Sequence, residues 1–291
     1  MRRFVLFLAA FFMFIPILFP NESLQPLRTD APPKIDGRLD DSIWKSAPSV
    51  TGFKTFHPDF GIDMPERTIV YMAYDRENLY FGFKCFDSQP DKIKASISRR
   101  DTIRPDDWIC INLDSFNDQQ ALYALYINPL GIQTDSRYAG DREDFSQDFV
   151  FFSAGQIDEE GYVVEVQLPF KSIRFSNIQT VEMGVIFERR INRESKNGTY
   201  PALSPEKGMF FLTQMKPMVM HDIKHYTLLE LLPAVTLNQR QYAEEGDLNV
   251  TDRFSDLSLT AKYGITSKLI LDATYNPDFS QVESDAGQVD V

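Results

Sequence analysis

Cysteine is scarce in this sequence: Cys85 and Cys110 are its two, too few for a disulfide framework or a tetrahedral zinc site. If Leu79, Phe81, Phe83 and Cys85 share the inner face of one strand, and Ile109, Ile111 and Leu113 that of another, Cys110 points outward with Trp108 and the two thiols do not meet. The three histidines, His57, His221 and His225, have no metal spacing, because four residues along a strand place His221 and His225 on one face but too far apart for one ion. No nucleophile elbow, phosphate loop or dinucleotide fingerprint is present. Basic residues are outnumbered: 30 Lys and Arg against 42 Asp and Glu give a net charge of −12. The acidic residues are spread along the chain, which argues against nucleic acid as a partner and suits neutral ligands or cations. Helical periodicity is also rare, and what takes its place is short apolar or alternating runs separated by turn residues, the pattern of an all-β protein.

The long apolar run is confined to the start, where Met1, Arg2 and Arg3 precede Phe4 to Phe19. This is the charge-then-hydrophobe layout of a secretory signal, expected to span residues 1–22 and to imply export. The run is shorter than the ~20 residues a membrane-spanning helix needs. No small-x-small cleavage site stands near Pro20 to Gln25 and no cysteine follows, so a lipoprotein anchor is not expected, while an uncleaved anchor is the competing reading.

Predicted strands are Ile69 to Tyr74, Leu79 to Asp87, Trp108 to Asp114, Ala121 to Asn128, Phe149 to Gln156, Gly161 to Pro169 and Glu182 to Asn192. Turns are predicted at Asp75 to Asn78, at Asn128-Pro129-Leu130-Gly131 and at Asp158 to Gly161. One helical turn is predicted at Asp40 to Ala47, capped by Asp40 or Asp41. After Asn192 the stretch Arg193 to Gly208 is polar and rich in Pro, Ser and Gly, which predicts a long surface loop. Further strands follow at Tyr226 to Leu237, Leu257 to Tyr263 and Leu269 to Tyr275, with Ala243 to Arg253 as a polar loop. In the last two, apolar positions alternate with polar ones, tyrosines close the strands and a short turn joins them at Gly264 to Lys268. That pattern fits a membrane β-hairpin and equally a soluble hairpin with one solvated face. Three strands cannot close a barrel, so the membrane reading expects more strands beyond Val291.

The segment Pro33-Lys34-Ile35-Asp36-Gly37-Arg38-Leu39-Asp40-Asp41-Ser42-Ile43-Trp44 resembles the opening of family 9-type carbohydrate-binding domains. Matches continue in order with Tyr74-Asp75, Leu79 to Phe83, Ser98 to Asp101, Asp106-Asp107-Trp108, Leu113 to Phe116, Asn128 to Asp135 and Val164 to Phe170. Lys262 to Thr266 and Asn276 to Asp285 look like the start of the barrel domain of unknown function that follows this module in large outer-membrane proteins. The resemblance implies an immunoglobulin-like or jelly-roll β-sandwich over residues 30–222 and the first strands of an incomplete outer-membrane β-barrel over 223–291. It also implies an exported protein of a Bacteroidetes-type envelope, with the sandwich in the periplasm or at the cell surface. The chain departs from the family where relatives carry tryptophans and this sequence has Phe149 and Phe151, and again near Tyr200.

Sugar recognition uses flat aromatic faces against a pyranose ring, with amides, carboxylates or guanidinium groups for its hydroxyls. The expected ligand-binding set is Trp108 with Arg99, Arg100, Asp101, Asp106, Asp107 and Asn128, and its partner is an oligo- or polysaccharide. Arg and Asp at strand ends also suit a solvated ion-pair network. Trp44, after the predicted helical turn, is expected in the core. A second cluster, Asp135, Asp141, Glu143, Asp144 and Asp148, offers oxygen ligands for calcium, although the spacing matches no EF-hand and a solvated acidic loop competes. The family resemblance also implies structural calcium. Glu165 and Glu188, both on predicted strands, are the pair that a glycoside hydrolase reading would need, and no catalytic residue is assigned. The expected function is thus a carbohydrate-binding module taking part in polysaccharide binding or catabolism. Its alternatives are an accessory part of a glycoside hydrolase and a sandwich with no sugar ligand.

Overall fold

The computed structural model describes residues 23–140, 142–207, 211–227, 229–244, 247–266 and 269–276, with backbone alone for 238–244 and 247–254. The expected signal at 1–22 lies outside the described residues. The first half of the chain supplies β1 (Leu27–Arg28), α1 (Ser42–Ser46), β2 (Ser49–Val50), β3 (Lys54–His57), β4 (Thr68–Tyr74), β5 (Asn78–Phe86), β6 (Trp108–Asp114), β7 (Ala121–Ile127), β8 (Gln133–Ala139) and β9 (Arg142–Asp144). Then come β10 (Phe152–Asp158), β11 (Gly161–Pro169), β12 (Thr180–Ile191), β13 (Lys196–Tyr200), β14 (Lys216–His221), β15 (Leu229–Glu244), β16 (Asp247–Gly264) and β17 (Ile270–Tyr275).

These strands form a six-stranded sheet ordered β1-β4-β5-β11-β10, with β2 also on β4, and an eight-stranded sheet ordered β3-β13-β12-β6-β7-β8-β9, with β14 also on β12. A third sheet holds β15-β16-β17. The protein is all-β and its first two sheets make a sandwich. Strand alternation decides what lies between them. Leu79, Phe81, Phe83 and Cys85 of β5 and Tyr162, Val164, Val166 and Leu168 of β11 face Ile109, Ile111 and Leu113 of β6 and Val185 and Phe187 of β12 in one cluster. Phe187 meets Phe81 and Phe83 edge-on at 5.5 and 5.8 Å, so aromatic packing crosses the midplane.

One charged side chain also crosses it. Arg189 is wholly buried, and its guanidinium donates to the carbonyls of Arg67 at 3.1 Å and Phe86 at 2.8 Å and to Thr68 Oγ1 at 3.1 Å. It lies over the Tyr162 ring at 5.4 Å and has Asp87 at 3.8 Å. Burial alone would drive the charge off, but Asp87, Asp107 and the tyrosine and cysteine beside it hold the guanidinium protonated. Arg193 completes the lattice with Asp87 at 2.7 Å and Glu66 at 3.1 Å.

The outer side of the six-stranded sheet is covered by α1, whose Ile43 and Trp44 pack with Ala73 and Tyr80. A Cβ at Gly82 would stand 2.6 Å from Leu39 Cδ2, so this strand position takes no side chain. Glu165 of β11 seats the preceding loop: one carboxylate oxygen accepts the amides of Asp36, Gly37 and Arg38 at 3.0, 2.8 and 3.2 Å, and the other the Trp44 indole at 2.8 Å. The Ile35-Asp36-Gly37 turn and Trp44 are therefore tied by one buried acid. The expected helix cap is corrected: Asp41 occupies the N-cap position, but its carboxylate accepts the Lys34 amide and caps no helix amide.

The predicted turns form as expected, with Asp75 Oδ1 accepting the Glu77 and Asn78 amides and Asn128 Oδ1 those of Leu130 and Ile132, ahead of Gly131 at φ +82°. The stretch predicted as a loop after Asn192 contains β13, which pairs with β12 and β3. The polar stretch 243–253 falls mostly within β15 and β16, where the cross-strand ladder outweighs weak strand propensity. Strand β10 begins at Phe152, three residues later than predicted.

Because Arg189 satisfies carbonyls from both β4 and β5 at once, Arg189→Met is expected to destabilise the sandwich by about 3–5 kcal/mol, the usual effect of removing one partner from a buried ionic network. Urea denaturation of the two proteins measures it. A loss below about 1 kcal/mol would show that the lattice is dispensable.

Candidate functional site

Because Phe187 and Arg189 face inward, Glu188 and Arg190 face the far side of the eight-stranded sheet. On that side the register aligns Thr199, Glu188, Cys110, Tyr126 and Thr134 in a row across five strands. Trp108 and Asn112 flank Cys110 on β6, and Glu143 of β9 reaches back to donors on two neighbours, accepting from Tyr126 Oη at 2.9 Å and Ser136 Oγ at 2.6 Å. A small apolar cluster of Ile103, Trp108, Cys110, Leu122 and Ala124 floors this face, with Leu212 and Met215 against it.

Two adjoining hollows open here, of about 250 and 260 Å³, and share Trp108, Tyr126 and Glu143 as the ridge between them. The Trp108 and Tyr126 rings meet edge-to-face at 5.1 Å and 88°. The first hollow is rimmed by Arg104 lying over Phe145 at 4.6 Å. The second is walled by Phe56 and Phe211, edge-on at 5.7 Å, and by Asn112, Glu188 and Asn197. Glu188 Oε1 accepts from Asn197 Nδ2 at 2.9 Å. The Asn112 amide lies beside Glu188, close enough to favour its charged form, yet its Nδ2 makes no well-formed hydrogen bond. Thr134 and Thr199 hydroxyls and Arg190 Nε are buried without partners on the same face. Polar groups left open beside aromatic surface are what a hydroxyl-rich ligand requires.

Burial pushes the Glu188 carboxyl up to about 7, with the charge of Glu143 acting in the same direction and Asn197 and Arg190 opposing it. Burial also raises the Cys110 thiol well above its ordinary range, and both cysteines are free and fully buried, so neither is a reactive thiolate.

Of the ligand-binding set expected from sequence, Trp108 lines these hollows, Arg100, Asp106, Asp107 and Asn128 hold loops, and Arg99 and Asp101 are exposed. Asp106 accepts from Ser96 N and Oγ and from Asn128 Nδ2, fastening the segment before β6, and Asn128 closes its own turn. Asp107 accepts the Asn192 amide at 2.7 Å. Arg100 donates to Asp135, Gln133 and the Phe149 carbonyl, with Phe151 beneath it at 5.4 Å, while Arg99 and Asp101 are exposed in the same loop. The two phenylalanines that stand for tryptophans are thus a support for Arg100 and, for Phe149, a packing partner of Tyr123 at 4.9 Å.

Four of the carboxylates expected to hold calcium make other contacts. Asp135 is spent on Arg100 and the Phe149 amide, Glu143 on Tyr126 and Ser136, Asp144 on Ser146, and Asp148 on Arg100. Asp141 lies outside the described residues, and among the described residues no three acidic, His or Cys side chains converge on a metal position. Glu165 and Glu188 cannot flank one glycosidic bond either, since each points away from the core on a different sheet.

Residues 35–203 match the family described as carbohydrate family 9 binding domain-like, and the chain belongs to that family. Residues 226–290 match a domain of unknown function, DUF5916. Among solved structures, a putative carbohydrate-binding protein from Bacteroides uniformis ATCC 8492 shares the fold at a TM-score of 0.54 and 12% identity, over 68% of this chain and 98% of that one. A family 9 carbohydrate-binding module from Caldicellulosiruptor kristjanssonii in complex with cellotriose aligns at a TM-score of 0.44 and 16% identity, over 61% of this chain and 83% of that one. The same module in complex with glucose aligns at 0.44 and 17%, over 60% and 84%. No curated protein matches the chain.

The raised Glu188 pKa has a direct consequence for stability. The folded protein holds a proton below pH ~7 that the unfolded chain, with an ordinary glutamate near 4.3, has already released. Stability is therefore expected to fall as pH rises from ~4.5 to ~7, with Glu188 contributing on the order of 3 kcal/mol of that fall. Glu188→Gln is expected to flatten this part of the profile relative to the unsubstituted protein. Parallel urea profiles at pH 5.5 and 8.5 test it, and identical slopes for the two proteins would refute it.

Proposed function

We propose that the chain is the sugar-binding sandwich of an exported, outer-membrane-associated protein, and that its ligand lies in the two hollows across the Trp108–Tyr126 ridge. The observation that carries this reading is that Asn112 Nδ2 and the Thr134 hydroxyl, in the lining of the two hollows, are buried without a well-formed hydrogen bond. A pyranose packed against the largely buried Trp108 or the half-buried Tyr126 would bring hydroxyls towards Glu188, Asn197, Asn112 and Thr134. The opposite sheet also has a hollow, of about 440 Å³, but four of its polar side chains are already paired: Arg38 Nε bonds Gln156 at 3.2 Å and Lys84 bonds Asp158 at 2.7 Å. Sugar there would compete with bonds already made.

The membrane part of the reading rests on the third sheet. Its register puts Leu229, Leu231, Pro233, Val235 and Leu237 of β15 on one face with Leu257, Leu259, Ala261 and Tyr263 of β16 and Leu271, Ala273 and Tyr275 of β17. The large apolar side chains of that face are exposed, Leu237 by 80% and Tyr275 by 75%. Glu230, Lys262 and Asp272 fall together on the other face. A sheet oily on one side and polar on the other is the pattern of a barrel wall in lipid.

Glycan-array screening followed by calorimetric titration tests the sugar site. Trp108→Ala and Asn112→Ala are expected to weaken the best array ligand at least ~10-fold, equal to ~1.4 kcal/mol, while Tyr71→Ala in the opposite hollow leaves affinity unchanged. The reverse ranking, or no array binding at all, would remove the proposal.

A further inference from the structure

We infer that the sandwich stands on the periplasmic side of the outer membrane, an inference that rests on the membrane reading of the third sheet and gives it a direction. The apolar column of β15 runs from Leu229 to Leu237. Its eight steps cover about 27 Å along the strand and, at a barrel tilt near 40°, about 21 Å along the membrane normal, close to the ~25 Å apolar band of such walls. The column therefore fits one bilayer crossing.

The two ends of this crossing differ. Past Leu237, β15 and β16 stay paired from Asn238 opposite Phe254 to Glu244 opposite Asp247, so the hairpin projects about 20 Å beyond the apolar band. The sequence of that projection includes Gln239, Arg240, Gln241, Asn249, Asp252 and Arg253, a composition for water. At the other end, β16 and β17 are joined by a tight turn in which Leu269 O accepts the Ile265 and Thr266 amides and Thr266 Oγ1 accepts the Leu269 amide. Outer-membrane barrels have short turns on the periplasmic side and long, projecting hairpins outside. The tight turn thus marks the periplasmic rim.

The sandwich is tethered at that rim. Strand β14 ends at His221 and β15 begins at Leu229 beside the tight turn, with Leu229 opposite Tyr263. The connection between them, even fully extended, reaches no more than ~28 Å, too short to pass a folded domain to the far side of the bilayer and return. The hollows on the eight-stranded sheet then meet glycans already inside the outer membrane, such as short oligosaccharides after uptake, and have no access to intact extracellular polysaccharide.

Cysteine labelling of the full-length protein in the outer membrane of its own cells tests this. Cys85 and Cys110 are fully buried, and the unsubstituted protein labelled in parallel sets the background. Ile97→Cys, at a position 91% exposed on the sandwich, is expected to react with a membrane-impermeant maleimide only after the outer membrane is permeabilised. Glu244→Cys, at the end of the projecting hairpin, is expected to react on intact cells. Proteinase K added to intact cells is likewise expected to leave the sandwich uncut, a readout that needs no substitution. Labelling of Ile97→Cys or digestion of the sandwich in intact cells, or no labelling of Glu244→Cys there, overturns the periplasmic placement. Recovery of the unsubstituted protein in the soluble fraction instead overturns the membrane reading on which the placement rests.

Discussion

The Arg189 guanidinium fixes how the two sheets of the sandwich meet. It comes from β12 of the eight-stranded sheet and reaches the carbonyls of Arg67 and Phe86, which border β4 and β5 on the six-stranded one. A charge between sheets needs acceptors and counter-charge nearby, and here the two terminal nitrogens reach three carbonyl and hydroxyl acceptors, with Asp87 and the Tyr162 ring close by, while Nε is buried without a hydrogen-bond partner. A one-residue slip of β12 would carry Arg189 out of reach and turn Phe187 away from Phe81 and Phe83. The same alternation that buries Arg189 presents Glu188 and Arg190 to the other side, so the core lattice and the outer hollows are set by one register.

That coupling explains why the eight-stranded sheet can be buried on one face and functional on the other. Its inner face is apolar and contributes to the main core, whereas its outer face mixes Trp108, Tyr126 and Cys110 with Asn112, Glu188 and Thr134. The six-stranded sheet solves its outer face differently, by laying Trp44 and Leu39 over Gly82 and tying the loop down through Glu165. One outer face is partly covered by its own chain, and the other holds buried polar groups without partners beside its hollows.

Much of the sandwich was legible in the sequence because its central strands are strongly apolar: β6 and β11 run as predicted, and the inner set from Leu79 to Cys85 follows from alternation alone. Strand β8 was missed because Gln133, Thr134, Asp135, Ser136 and Arg137 carry little strand signal, and only pairing with β7 makes them a strand. The candidate site was less legible. Arg99, Arg100, Asp101, Asp106 and Asp107 cluster with Trp108 in sequence, but Arg100, Asp106 and Asp107 go into loop-fastening bonds and Arg99 and Asp101 are exposed. Glu188 was visible as a strand carboxylate and Tyr126 as a strand aromatic, and the signal that unites them with Trp108 is the shared outward parity of β6, β7 and β12. Parity is readable from sequence, but which strands are neighbours is not. Asn197 enters the site from the stretch read as loop and Phe211 from a stretch no predicted element covers, where no periodicity exists to place them.

The central claim is that ligand meets this protein on the outer face of the eight-stranded sheet. A crystal structure with the sugar that binds most tightly on a glycan array tests it most directly. The account predicts a pyranose ring against Trp108 or Tyr126, with its hydroxyls bonded to Glu188 and to the Asn112 amide that the fold leaves open. Sugar seated instead on the opposite sheet, beside Tyr71 and Lys84, would contradict it.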